Sequence, residues 1–165
     1  MSVVGNLVAI SPEQLASFQK DTGQVAPFLR ACMEGDGDAP PSVYLDKSWQ
    51  AIRFVLTGRA SGGEGPLGLA IEGGEELGDD VGSGPARFLT ASEVRSVAEA
   101  LSAVSPEAFA VRFDSRALQA ARISPGGWAE RDEENREYVL EYYRKLFTFY
   151  RRASERGDAV LAFFT

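Results

Sequence analysis

The C-terminal end of this chain constrains its architecture more than any other part. From Asp132 to Arg156, Val139, Tyr142, Tyr143, Leu146, Phe149, Tyr150 and Ala153 recur at three- and four-residue steps, and Gly157 stands where a helix stops. At ~1.5 Å per residue the helix is about 37 Å long, whereas a domain of 165 residues has a radius of gyration near ~15 Å. The helix must therefore cross the whole domain. Ala159 to Phe164 follows as an unbroken apolar run, which reads as a strand covered on both faces.

The other end of the chain supplies a second strand. Val3 to Ile10 is β-branched and aliphatic, and it leads into a helix start, with Ser11 as N-cap, Pro12 at the first helical position and Gln14 as capping-box partner. A further helix carries Val25, Phe28, Leu29 and Cys32 at helical spacing, which makes Cys32 a core residue. A loop is expected over 34–42 and a short strand over Val43–Leu45. Asp46 is placed to cap the next helix, whose apolar face is Trp49, Ile52, Val55 and Leu56 before Gly58. Later, Thr90 and Glu93 form a capping box for a helix with Val94, Val97, Ala98, Leu101 and Val104 on one face. Helical turns start at Ser105-Pro106 and Asp114, and ISPGGW (123–128) is a turn. Strands at both ends with helices between them suggest α/β layering in one domain, residues 1–165, with no repeat and no linker.

Composition matters here by what it excludes. There is no histidine and one cysteine, Cys32, so a Ser-His-Asp or Cys-His triad, a His-ligated zinc and a Cys-rich zinc ribbon are impossible within the chain. The lone cysteine cannot form an internal disulfide, which fits a reducing compartment. MSVVGNLVAIS has no basic region and too short an apolar stretch for a signal peptide or membrane span, so a cytoplasmic location is expected. A net charge of −7 opposes binding to nucleic acid or an anionic membrane, but leaves basic protein partners open.

Between Ala60 and Ala86 the chain changes character. Nine of the 17 glycines lie there with six carboxylates and no cation, and only Leu67–Ile71 is apolar, so an irregular segment is expected. GEGPLG (63–68) matches the letters of a dinucleotide fingerprint, but it follows a helix rather than a strand and lacks a nearby cation. Glu72, Glu75, Glu76, Asp79 and Asp80 offer oxygen ligands for a divalent ion or a pair for hydrolysis, without the spacing that would confirm either. A solvated acidic loop is the simpler reading. Arg87, the first cation after these carboxylates, either pairs internally with Asp79 or Asp80, the favoured reading, or presents its guanidinium to an anionic ligand. Acidic residues at 130–137 and Arg144, Lys145, Arg151, Arg152 and Arg156 later in the last helix match the helix dipole. Trp49 lies on a core face, while Trp128 either lines a pocket or closes the core.

The stretches VVGNLVAISPEQL (3–15), YLDKSWQAIRFVLTG (44–58), LAIEGGEELGDDVGSGPARFLTASEV (69–94), VRFD (111–114), ISPGGW (123–128) and FYRRASERGDAVLAFFT (149–165) resemble, in the same order, the YfbM-like family of bacterial proteins, a domain family of unknown function. The resemblance implies a three-layer α/β/α sandwich and brings no reaction, cofactor or substrate. Relatives often have histidine in the helix after the Asp-Lys-x-Trp motif and tyrosine at the position of Ser83; this chain has Gln50 and Arg53 in that helix. The matching positions Asp46, Lys47, Trp49, Gly73, Gly74, Gly84, Pro85, Arg87 and Trp128 are where a shared site is expected.

Two readings follow. The first is a non-catalytic cytosolic binding module, of inhibitor or immunity type, that meets a basic partner through the acidic glycine-rich segment 60–87. The expected binding set is Asp46, Trp49, Glu75, Glu76, Asp79, Asp80, Arg87 and Trp128, with no cofactor and no metal. The second is a carboxylate-based, metal-assisted hydrolase at the same segment.

Overall fold

The two terminal strands lie side by side. The computed structural model describes residues 2–35 and 37–165; Met1, and Asp36 in the loop expected over 34–42, lie outside the described residues. The strands are β1 (Gly5–Ile10), β2 (Ser42–Asp46), β3 (Glu75–Asp80), β4 (Pro85–Leu89) and β5 (Ala159–Phe164). They form one sheet in the order β2-β1-β5-β4-β3, with every pairing antiparallel. β5, central and buried over Ala159–Phe163, is the strand the apolar run predicts.

Alternation along the strands divides the core in two. Val8, Ile10, Leu77, Phe88, Leu161 and Phe163 face one side, against Leu15 and Phe18 of α1 (Pro12–Lys20) and Val25 and Leu29 of α2 (Val25–Glu34). Leu7, Ala9, Leu45, Leu89, Val160 and Ala162 face the other. That side is covered by α3 (Trp49–Thr57), α4 (Pro66–Glu72), α5 (Ala91–Ser102), α6 (Pro106–Arg112), α7 (Ser115–Ala120) and α8 (Asp132–Arg156). The result is the three-layer α/β/α arrangement, with unequal layers.

The start signals operate as physics requires. Ser11 accepts from the Gln14 N–H (3.1 Å), Thr90 and Glu93 satisfy each other's backbone N–H groups, and Asp114 caps Arg116 and Ala117. Gly157, at φ 74°, ends α8. Along α8 the side chains anchor distant segments. The Tyr150 hydroxyl donates to the Ala70 carbonyl (2.6 Å), and the Tyr143 hydroxyl to the Val104 carbonyl (2.6 Å). Burial pushes the Tyr143 hydroxyl up to about 12, against a lowering pull from the Arg112 charge, and burial raises Tyr150 further.

The segment 60–86 is not the irregular stretch its composition suggests. It holds α4 and β3, and several of its glycines, among them Gly68, Gly73 and Gly74, stand where a side chain would meet neighbouring chain. A Cβ on Gly68 would sit 2.5 Å from the Gly63 carbonyl oxygen, and Gly73, at φ +74°, lies against Arg87 and Leu89. A buried cation fastens the segment. Arg53 of α3, 3% exposed, pairs with Glu72 and donates to the Gly62 carbonyl.

Candidate functional site

The expected site residues fall into separate places. β3 is an outer strand, and Leu77 is the only one of its side chains that is buried. Glu75, Glu76, Asp79 and Asp80 are exposed along it. The β3–β4 register sets Glu76 opposite Arg87, so Arg87 pairs with Glu76 (3.1 Å) and donates to the Gly74 carbonyl (2.9 Å). The internal pairing of Arg87 is therefore found with a different carboxylate from the expected Asp79 or Asp80. The cause is strand geometry, since opposed residues on antiparallel strands meet directly. At 43% and 57% side-chain exposure, this pair contributes at most about 1 kcal/mol. Asp80 accepts from the Gly82 (2.7 Å) and Gly84 (3.3 Å) N–H groups and shapes the hairpin turn. Glu75 and Asp79 make no ion pair among the described residues.

Asp46 lies at the opposite edge of the sheet, at the end of β2, four inter-strand spacings or roughly 19 Å away, and Trp49 of α3 lies over β1 and the central strand β5. Asp46 does not cap α3; Ser48 precedes that helix and donates instead to the Leu45 carbonyl (2.6 Å). The Asp46 backbone sits at φ 49°, a conformation side chains rarely adopt, and its carboxylate accepts from the Tyr44 (3.2 Å) and Tyr138 (2.7 Å) hydroxyls. Burial and then the hydrogen bond to Asp46 push Tyr138 well above the usual tyrosine range. Trp49 packs on Gly5 and Phe164, its indole N–H donating to the Val3 carbonyl (2.9 Å). Trp128 is buried in the larger core and donates to the Ile123 carbonyl (2.8 Å). These three residues hold chain segments together, and the structure does not bring them to the carboxylates of β3.

The chain's own sequence places it among known proteins. Residues 1–163 match the family described as Domain of unknown function (DUF1877). The chain belongs to this family. Its three-layer fold is shared by YfbM from Escherichia coli, a protein of unknown function whose crystal structure is similar at TM-score 0.76. The likeness covers 98% of this chain and 99% of that one at 19% identity, which makes it evidence of fold alone. No curated protein matches.

Among the described residues, no group of three or more His, Cys, Asp or Glu side chains is arranged to hold a metal, and no helix is long and apolar enough to cross a membrane. Cys32 is half-buried, and burial pushes its thiol up, away from the reactive thiolate. Sequence reasoning missed two grooves, of about 360 and 530 Å³, on either side of β2. They bring together residues of β2 with residues of α2 and α8, far apart in the chain, so no local pattern announces them.

Proposed function

We propose that this DUF1877 protein is a non-catalytic binding module that receives a basic protein partner along β3. The observation that supports this is an ordered outer strand, paired with β4 on one side, that exposes Glu75, Glu76, Asp79 and Asp80. An open strand edge offers main-chain hydrogen bonds to an incoming strand, and charge decides which strand is admitted. Negative charges along the edge repel most neighbours and attract a cationic segment. A small protein that covers a basic toxin would use such an edge, and its association would be fast at low salt.

The hydrolytic reading of the same carboxylates has less support. Glu76 and Asp80 are engaged with Arg87 and the hairpin turn. Glu75 and Asp79, exposed beside the register shift between Leu77 and Asp80, belong to no group of three or more His, Cys, Asp or Glu side chains arranged to hold a metal among the described residues.

Affinity capture from cell extract at low salt, followed by mass spectrometry, tests the binding reading. The wild-type chain should recover basic proteins that the Glu75→Lys/Asp79→Lys variant does not. Equal recovery by both, or recovery of nothing by either, would count against it.

A further inference from the structure

The sheet has a second open edge of opposite character. The Ala9 N–H donates to the Pro41 carbonyl (2.8 Å), and Leu7 is paired with Val43. Alternate residues of an antiparallel strand turn their N–H and C=O groups away from the partner. Ser42 and Tyr44, both exposed, therefore present theirs outward.

The same two residues border both grooves. The groove of about 360 Å³ has Asn6, Val8, Phe163 and Thr165 along the sheet, with Cys32 and Met33 of α2 beside them. It is open because α2 packs over β3, at the far side of the sheet. The groove of about 530 Å³ lies on the other face, where Lys145, Thr148, Arg152 and Arg156 of α8 stand beside Ser42 and Tyr44. Three cations thus line one groove in a chain of net charge −7. Lys145 is 3.4 Å from Glu141 and Arg156 2.7 Å from Asp158, while Arg152 makes no ion pair among the described residues. The helix dipole accounts for cations in the last turn of α8, but not for Lys145, nearly three turns earlier.

We propose that β2 is a docking edge for an extended acidic peptide segment, which adds a sixth strand and sends alternate side chains into the two grooves. Successive side chains of a strand point to opposite faces, so residues i and i+2 of the peptide enter the same groove ~6.6 Å apart. Arg152 and Arg156, one helical turn apart, are separated by ~6 Å along α8 and match that step. Acidic residues at every second position meet the cations of α8. The residues between them enter the groove of α2, whose lining carries no charged side chain. The proposal is independent of the acidic edge, which lies across the sheet and selects the opposite charge.

The test is an NMR titration of the ¹⁵N-labelled full chain with a short peptide alternating Glu and Thr, beside its Gln–Thr analogue. Saturable shifts are expected at residues 41–46 and along α8 from Lys145 to Arg156, with slowed exchange of the Ser42 and Tyr44 amides. Arg152→Glu, at an exposed position, should leave the melting temperature unchanged and weaken binding about tenfold or more. The proposal is overturned if millimolar peptide produces no shifts, if the Gln–Thr peptide binds equally well, or if the shifts stay on α8 and leave the β2 amides unmoved. It is also overturned if light scattering shows self-association that Arg152→Glu abolishes, for then a second copy's β3 is the occupant.

Discussion

Replacing Tyr150 by Phe removes one oxygen atom from the centre of the domain and should be costly for a definable reason. The Tyr150 hydroxyl donates to the Ala70 carbonyl at 2.6 Å, and both residues are 0% exposed. Ala70 lies in the last turn of the seven-residue helix α4, where carbonyls have no partner further along the helix. The next N–H groups are already used, Gly73 donating to Leu69 and Gly74 to Phe88. Tyr150→Phe therefore leaves a buried acceptor unsatisfied, at a cost of about 1–3 kcal/mol. For a domain of this size that lowers the melting temperature by roughly 2–4 °C per kcal/mol. Urea denaturation with an unchanged m-value and a lower midpoint would confirm it. A loss below about 0.5 kcal/mol would mean that the Ala70 carbonyl finds another partner, and that α8 does not anchor α4 in this way.

Other consequences follow from the same packing. Arg53→Leu should destabilise the protein by about 2 kcal/mol, below the ~3–5 kcal/mol typical of a broken buried pair because Glu72 is 37% exposed, and should raise amide exchange across residues 60–72. Gly68→Ala should cost ~1–3 kcal/mol in a denaturation midpoint, since the added carbon meets backbone rather than a movable side chain. Tyr143, whose folded pKa of about 12 lies above the ordinary value near ~10, stabilises the fold fully below pH ~10 and loses that contribution as pH rises towards 12. A melting temperature that held level from pH 10 to 12 would contradict this assignment.

The parts of the fold that were legible are those in which one face of an element carries its own signal. α8 has a buried face repeated over about four turns from Val139 to Ala153, and β5 is apolar on both sides, so each announces itself locally. β3 does not, because an outer strand with one buried residue, Leu77, has no alternation to detect. α4 was hidden by glycines that serve backbone contacts with Gly63, Arg87 and Phe88, although Pro66 at its first turn and the apolar Leu67–Ile71 were the available signals. The candidate site was legible only in part. Its charge was visible, whereas its geometry depended on β3–β4 register, which assigns Arg87 to Glu76 and leaves Glu75 and Asp79 free of ion pairs among the described residues. Strand order separates Asp46 from the carboxylates, and Trp49 is taken up by packing on Gly5 and Phe164. Arg53, the cation that holds the glycine-rich segment in place, carries no local signal of that role, because its partners Gly62 and Glu72 lie 9 and 19 residues further along the chain.

In the proposed binding mode the ordered acidic strand β3 receives a cationic strand. The most direct measurement is an NMR titration of the full chain with a short peptide alternating Lys and Thr. Salt-sensitive shifts centred on residues 75–80 are expected, and they vanish in Glu75→Lys/Asp79→Lys. Shifts that persist in that variant, or that gather instead at the acidic start of α8 around Asp132, Glu133 and Glu134, would contradict it.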